Sequence, residues 1–282
     1  MADLLGRLGR ASARRAAAAR GREPLAVLRR RALDTPPAPR LALRSGGFDL
    51  FAEFKRRAPS AGRLPAGAGR EPALVARRAR AYARAGAAAV SVVTEPDAFG
   101  GHLDDLVAAA RAIGVPVLRK DFLVDPYQVA EARAAGAGGV LLILRLLDRA
   151  RLGEMLAACA EYRLFALLEA FDEADLHRAG KAVGRAAALG VTALIGVNSR
   201  DLRTLAVDGD RLRRLRRRLP AGVVCVAESG IDAPAGARAA AALGYDAALV
   251  GTALMRAPRP GLLARRLIAA GRRGAEERCA SG

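Results

Sequence analysis

PALVARRARAYARAGAAAVSVVTEPDAFGGHLDDLVAAARAIGVPVLRKD, residues Pro72 to Asp121, runs twice through one pattern. PALVARRARAYARAG and HLDDLVAAARAIG carry apolar residues at helical spacing. Each ends on a glycine, Gly86 and Gly114, where a helix C-cap needs a left-handed residue. AAVSVVTE and VPVLRKD follow them as short apolar runs bounded by turn residues, which is how strands buried on both faces read. Helix, glycine, strand, repeated without a long break, is the grammar of a parallel α/β sheet.

Outward from this stretch the same runs recur at DLFAEFK (Asp49 to Lys55), GGVLLIL (Gly138 to Leu144), RLFALLEA (Arg163 to Ala170), ALIGVN (Ala193 to Asn198), VVCVAESG (Val223 to Gly230) and AALVGT (Ala247 to Thr252). Gly136, Gly190 and Gly244 close further helices in the same way. Eight strands, starting about 23 to 40 residues apart and each followed by a helix, predict an α/β (β/α)8 TIM barrel rather than an open doubly wound sheet. No GxGxxG follows the first strand, as a dinucleotide fold would require. The units use up the chain, so residues 1–282 are expected to form one domain. Residues 1–46 are an N-terminal helical extension, 47–272 the barrel, and 273–282 a flexible tail. The extension holds eleven Arg in its first 45 residues and in isolation resembles a transit peptide. An Ala/Arg helix packed on the barrel is the preferred reading.

The chain has 282 residues, 52% of them hydrophobic, and no apolar run long enough to span a membrane. Three cysteines without CxxC spacing indicate neither a disulfide framework nor a zinc site, and a reducing cytoplasm is the expected location. A net charge of +19 invites a nucleic-acid partner. The finer count argues otherwise: 44 of the 47 basic residues are arginine, and Asn198 and Gln128 are the only residues of their kinds. Arginine has replaced lysine wherever a positive charge was enough. The lysines that survive, Lys55, Lys120 and Lys181, therefore invite a reading by position, because an ammonium has a tunable pKa that guanidinium lacks.

Position singles out two of them. The strand ends carry Glu53 and Lys55 on the first strand, Lys120 on the third, Glu169 on the fifth, Asn198 on the sixth, and Glu228 with Ser229 on the seventh. Glu53 and Lys55 are two apart and share a face. Polar groups at buried strand ends cost stability unless they are paired or used, and this many on the catalytic face of a barrel point to a site. Glycines at Gly230 and Gly251, with Thr252 opening a short helical stretch, mark the loops after strands seven and eight, where this fold frequently binds phosphate. Phe99 and Phe122 follow strand ends and fit either core plugs or a wall for a flat ring. His102, His177, Cys225 and Lys181 read as capping, surface or core residues, and no metal constellation appears.

AEFKRRAPSAG, SVVTEPDAFGG, PVLRKDFLVDPYQVAEARAAGA, GVNSRDLRTL, VAESGI and LVGTALMRA resemble, in order and spacing, the motifs of the indole-3-glycerol-phosphate synthase family. The resemblance implies a TIM barrel with an extra N-terminal helical segment and no metal or organic cofactor. It implies closure of 1-(2-carboxyphenylamino)-1-deoxyribulose 5-phosphate to indole-3-glycerol phosphate, with loss of carbon dioxide and water, in tryptophan biosynthesis. Lys120 then stands at the position of the acid for ring closure. Lys55, Glu53 and Glu169 share the later acid and base steps, and Asn198 and Glu228 orient the intermediate and the acid. Ser229, Gly230, Gly251 and Thr252 would hold the phosphate, and Phe99, Phe122, Ser60 and Arg200 the anthranilate end. The implied partners are this phosphorylated small molecule and other enzymes of the pathway, with no nucleic acid and no membrane. The rival on the same residues is a class I aldolase-like barrel using Lys120 or Lys55 as a Schiff base. Two departures stand out: the first loop reads APSAG where the family usually has SPSKG, leaving Ala58 and Ala61 without a hydroxyl and an amine, and Asp172 to Gly190 is longer than usual.

Overall fold

The computed structural model describes residues 4–58, 62–64, 71–202 and 204–280. Eight parallel strands close into a barrel: β1 (Asp49–Phe54), β4 (Ala89–Val93), β5 (Val117–Lys120), β6 (Gly139–Ile143), β7 (Phe165–Ala170), β8 (Ala193–Asn198), β9 (Cys225–Glu228) and β10 (Ala247–Val250), with β10 pairing back onto β1. A two-residue hairpin, β2 (Arg57–Ala58) and β3 (Gly62–Arg63), interrupts the first crossover. The outer ring comprises α3 (Pro72–Arg84), α4 (Leu103–Ala112), α5 (Pro126–Ala134), α6 (Arg149–Tyr162), α7 (Glu173–Ala188), α8 (Arg211–Arg216), α9 (Pro234–Ala242) and, after the short α10 (Thr252–Arg256), α11 (Pro260–Ala280). The stretch from Asp172 to Gly190 is a single long helix, α7, capped by the Asp172 carboxylate.

Alternation on each strand separates two cores. On β1, Leu50, Ala52 and Phe54 face the helices, and Phe51 and Glu53 face the lumen. The lumen is filled by side chains: Phe51 meets Phe165 edge to face, with centroids 6.4 Å apart. Gly139, in register with Phe165, makes that possible, because a Cβ there would overlap the Phe165 ring. The floor is therefore solid, and Glu53, Lys120, Glu169, Asn198 and Glu228 stand above it at or near the C-terminal ends of their strands. Four of the five expected helix-ending glycines, Gly86, Gly136, Gly190 and Gly244, have positive φ. Gly114 does not: α4 ends instead on Ile113 in extended backbone, so the chain leaves that helix without a left-handed turn.

Two helices precede the barrel, α1 (Leu4–Arg22) and α2 (Leu25–Asp34). Leu8 of α1 joins the lumen cluster beside Phe122 and Phe171, which lays α1 over the C-terminal mouth. The single glutamine fixes it there: Gln128 Nε2 donates to Ser12 Oγ at 2.8 Å, while its Oε1 accepts from the Val124 and Asp125 amides. The expected flexible tail over 273–282 is corrected through Ala280. α11 continues to that residue, with Gly274 and Ala275 buried against α9 and Arg238 paired with Glu277.

Candidate active site

The C-terminal mouth opens into a cavity of about 580 Å3, of a size that holds a small metabolite. The sequence candidates converge on it, except Ser60, which lies with Ala61 outside the described residues. Lys55 leaves the end of β1 on the same face as Glu53, and its Nζ is 2.7 Å from Glu53 Oε1. Lys120, ending β5, stands among three carboxyls from three other strands: Nζ lies 3.9 Å from Glu53 Oε2, 3.8 Å from Glu169 Oε1 and 3.9 Å from Glu228 Oε2. These are ion-pair distances, too long for hydrogen bonds. The ammonium is surrounded by charge without being committed to one partner.

Glu169 is fixed from the side, where Asn198 Nδ2 donates to its Oε1 at 2.9 Å. Asn198 is itself held: its Oδ1 accepts from the Arg200 amide and its carbonyl from Arg211 Nη1, both at 2.9 Å. Among the described residues neither Glu228 oxygen has a hydrogen-bond partner, although the residue is 1% exposed. Such a group is costly unless it is used or neutralised.

Opposed fields divide Glu53, Glu228 and Lys120. Burial would push Glu53 up, but Lys55 and then Lys120 outweigh it and hold the carboxyl below its ordinary value. Burial, and then the neighbouring Glu169, push the Glu228 carboxyl well above its ordinary value. Burial alone would lower Lys120, yet Glu169, Glu53 and Glu228 together raise it. The carboxyls thus favour the charged form of Lys120 and do not bring it toward neutrality.

At one end of the cavity the backbone is prepared for an anion. Ser229 and Gly230 both adopt left-handed φ, 64° and 75°, and the amides of Gly230 and Thr252 have no backbone acceptor among the described residues. A Cβ on Gly251 would overlap Glu53 Oε1, so any larger residue there would displace that carboxylate. Phe99 and Phe122, which line the same cavity, form a tilted pair with centroids 6.2 Å apart. A small apolar annex beyond them is walled by Leu4, Leu5 and Leu8 of α1 and by Arg200 and Leu202. Among the described residues no group of His, Cys, Asp and Glu is arranged to hold a metal ion. Sequence reasoning missed Arg256, one turn after Thr252 on α10, and Asp232, both lining the cavity, as well as the leucines of α1. The spacing from Thr252 to Arg256, one helical turn, was the available signal.

Residues 13–267 match the family model described as indole-3-glycerol phosphate synthase, a span that includes every strand and every candidate residue. The chain belongs to the indole-3-glycerol phosphate synthase family. It is 44% identical over 250 residues to the indole-3-glycerol phosphate synthase of Parafrankia sp. (strain EAN1pec), covering 88% of each chain. It is 44% identical over 230 residues to that of Mycobacterium leprae (strain Br4923), covering 82% of this chain and 80% of the other. Among solved structures the barrel is similar to 3-hexulose-6-phosphate synthase from Salmonella typhimurium, with a TM-score of 0.61 at 15% identity over 80% of this chain and 99% of the other. It is also similar to thiamine phosphate pyrophosphorylase from Pyrococcus furiosus, with a TM-score of 0.55 at 18% identity over 81% of this chain and 96% of the other. At those identities the likeness is one of fold alone, whereas the family model spans every candidate residue.

Proposed function

We propose that this protein closes 1-(2-carboxyphenylamino)-1-deoxyribulose 5-phosphate to indole-3-glycerol phosphate, releasing carbon dioxide and water, as a step of tryptophan biosynthesis. The observation that carries the reading is one cavity lined by three kinds of group: the Gly230 and Thr252 amides, which have no backbone acceptor among the described residues, the Lys120 ammonium among three carboxyls, and the Phe99 and Phe122 rings. The substrate offers each a counterpart in its phosphate, its ketone and its aromatic ring. In such a pose the phosphate meets the amides and Ser229, and the ring packs against the phenyl groups with Arg200 near its carboxylate.

The ring carbon bearing the carboxylate bonds to the ketone carbon, and the ketone oxygen takes a proton from Lys120. That oxygen becomes an alkoxide as the bond forms, so a lysine held charged by its neighbours is still acidic enough to donate to it. Breaking the bond to carbon dioxide returns its electron pair to the ring. The new hydroxyl then leaves as water on taking a proton, while a proton is lost from the closing five-membered ring. Lys55, Glu53 and Glu169 supply that acid and base. The close Lys55–Glu53 pair is set for proton exchange, and Asn198 and the Glu228 carboxyl orient the intermediate.

The cavity's chemistry calls for a dissolved, phosphorylated substrate, and the cytoplasm, with other enzymes of the pathway, is the place we assign to it. The Schiff-base rival needs Lys120 as a free amine, which three surrounding carboxyls oppose. Supplying the carboxyphenylamino-deoxyribulose phosphate and following indole fluorescence tests the proposal; folded protein that makes no product ends it. Borohydride added during turnover should leave no covalent adduct.

A further inference from the structure

We infer that Arg15, on the outer helix α1, is a positioning residue that couples the docking of α1 to the placement of both phenyl rings in the site. The inference rests on the ring-binding role proposed above for Phe99 and Phe122. Arg15 reaches three carboxylates on two loops: Nη2 is 3.2 Å from Asp121 Oδ1, and Nη1 is 3.4 Å from Asp97 Oδ2 and 3.7 Å from Glu95 Oε1. Glu95 and Asp121 are buried.

Each of these buried carboxylates organises the backbone of a ring-bearing loop. Glu95 accepts from the amides of Asp97 at 2.9 Å, Ala98 at 2.7 Å and Phe99 at 3.0 Å, which winds the chain after β4 into the turn that presents Phe99. Asp121 accepts from the Phe122 amide at 2.8 Å and from Thr94 Oγ1 at 2.8 Å, tying the end of β5 to the end of β4. Asp121 has a second cation in Arg119, at 3.5 Å, but Arg15 is the only cation within ion-pair distance of Glu95 among the described residues.

A buried anion stripped of its cation is strongly disfavoured and must seek water, which here means opening the turn that holds Phe99. The forked guanidinium spans the two loops from one side chain, which a lysine point charge does less well. Leu5 and Leu8 of the same helix line the annex with Phe99 and Phe122, so the helix that delivers Arg15 also backs the rings. Coupling of this kind is reciprocal: whatever docked α1 lends to ring binding, a bound ring must lend to the docking of α1.

The test compares wild type with Arg15→Gln, Arg15→Lys and Arg20→Gln. Arg20 pairs with Asp125 at 2.7 Å, at the opposite end of the loop after β5 from Asp121, and among the described residues it pairs with neither Glu95 nor Asp121, so its loss removes a cation from α1 and leaves those two carboxylates their partner. Absence of turnover in the folded wild type would defeat the proposed function itself. Given turnover, Arg15→Gln should raise KM about fivefold or more, the lower end of ordinary site-to-site coupling, with a smaller change in kcat. Inhibition by glycerol 3-phosphate, which has no ring, should be unchanged, and Arg20→Gln should alter neither constant. Indole-3-glycerol phosphate should slow amide exchange over α1 in wild type and in Arg20→Gln, but not in Arg15→Gln. Arg15→Lys should fall between, and it serves as the test variant if circular dichroism shows Arg15→Gln unfolded. Equal losses for ringed and ringless ligands, ligand-slowed exchange in Arg15→Gln, or a folded Arg15→Lys with wild-type constants would each overturn the inference.

Discussion

Lys120 and Lys181 are the same residue type in different surroundings, and the contrast gives a residue-scale prediction. Lys120→Arg keeps a cation among the three carboxyls but replaces a compact ammonium by a larger planar fork that cannot bring a proton to the same point. Turnover should fall about 10²- to 10⁴-fold with smaller changes in ligand affinity, while Lys181→Arg, on the exposed face of α7, should be silent. Steady-state rates with circular dichroism on both variants check this; near-normal turnover in Lys120→Arg would remove the acid role. Glu228 gives a second prediction, of opposite sign for stability and activity. Its raised pKa means that the folded barrel keeps a proton the unfolded chain gives up, from the ordinary value of 4.5 upward to the raised one. Stability from this carboxyl is complete below that window and is lost as pH rises through it. Glu228→Gln, neutral at every pH, should therefore melt about 2–4 °C above wild type at pH 7, or about 1 kcal/mol, and turn over more slowly. The melting gap should narrow as pH is lowered toward the ordinary glutamate value, and a gap that widened on acidification would contradict the assignment. The rare residues were legible in the sequence because scarcity marked them. Glu95 and Asp121 were not, since a carboxylate that caps backbone amides looks like any other acidic residue until the turn around it is known.

Elements were legible where periodicity had large apolar residues to work with. All eight barrel strands fall within the runs read from the sequence, and their alternation put Glu53 and Lys55 on one face. The end of α11 was missed for a physical reason: it packs through Ala264, Gly271, Gly274 and Ala275, a stripe at helical spacing whose members are too small to register as hydrophobic. The position of α1 was illegible too, because a two-helix extension rich in Ala and Arg does not say which end of the barrel it covers. Gly274→Val tests the corrected element. A Cβ there would overlap the Arg238 carbonyl of α9, so the substitution should cost about 1–3 kcal/mol by overpacking. Thermal and urea unfolding would show it as a lower midpoint with an unchanged slope; an unaltered midpoint would return 273–280 to the status of a tail.

For the molecule as a whole, the charge of +19 is spread through the arginines of many helices, several of them engaged with carboxylates, as in the buried Arg56–Asp105 pair and the Arg119–Glu131 pair. Binding to duplex DNA should accordingly be weak, indifferent to sequence and steeply lost with salt, because only phosphate neutralisation drives it. Tight binding that survives high salt and prefers one sequence would contradict this. The closure of the barrel has a consequence of another kind. Glu53 and Lys55 stand on the first strand and pack against Gly251, which follows the last, and β1 finds its second neighbour only in β10. During synthesis the acid and base groups of β1 therefore wait, with an open strand edge beside them, until nearly the whole chain has left the ribosome. A polypeptide cut short before β10 has lysines, glutamates and phenyl rings but no enclosed site, so catalysis is itself a proofreading of chain completion.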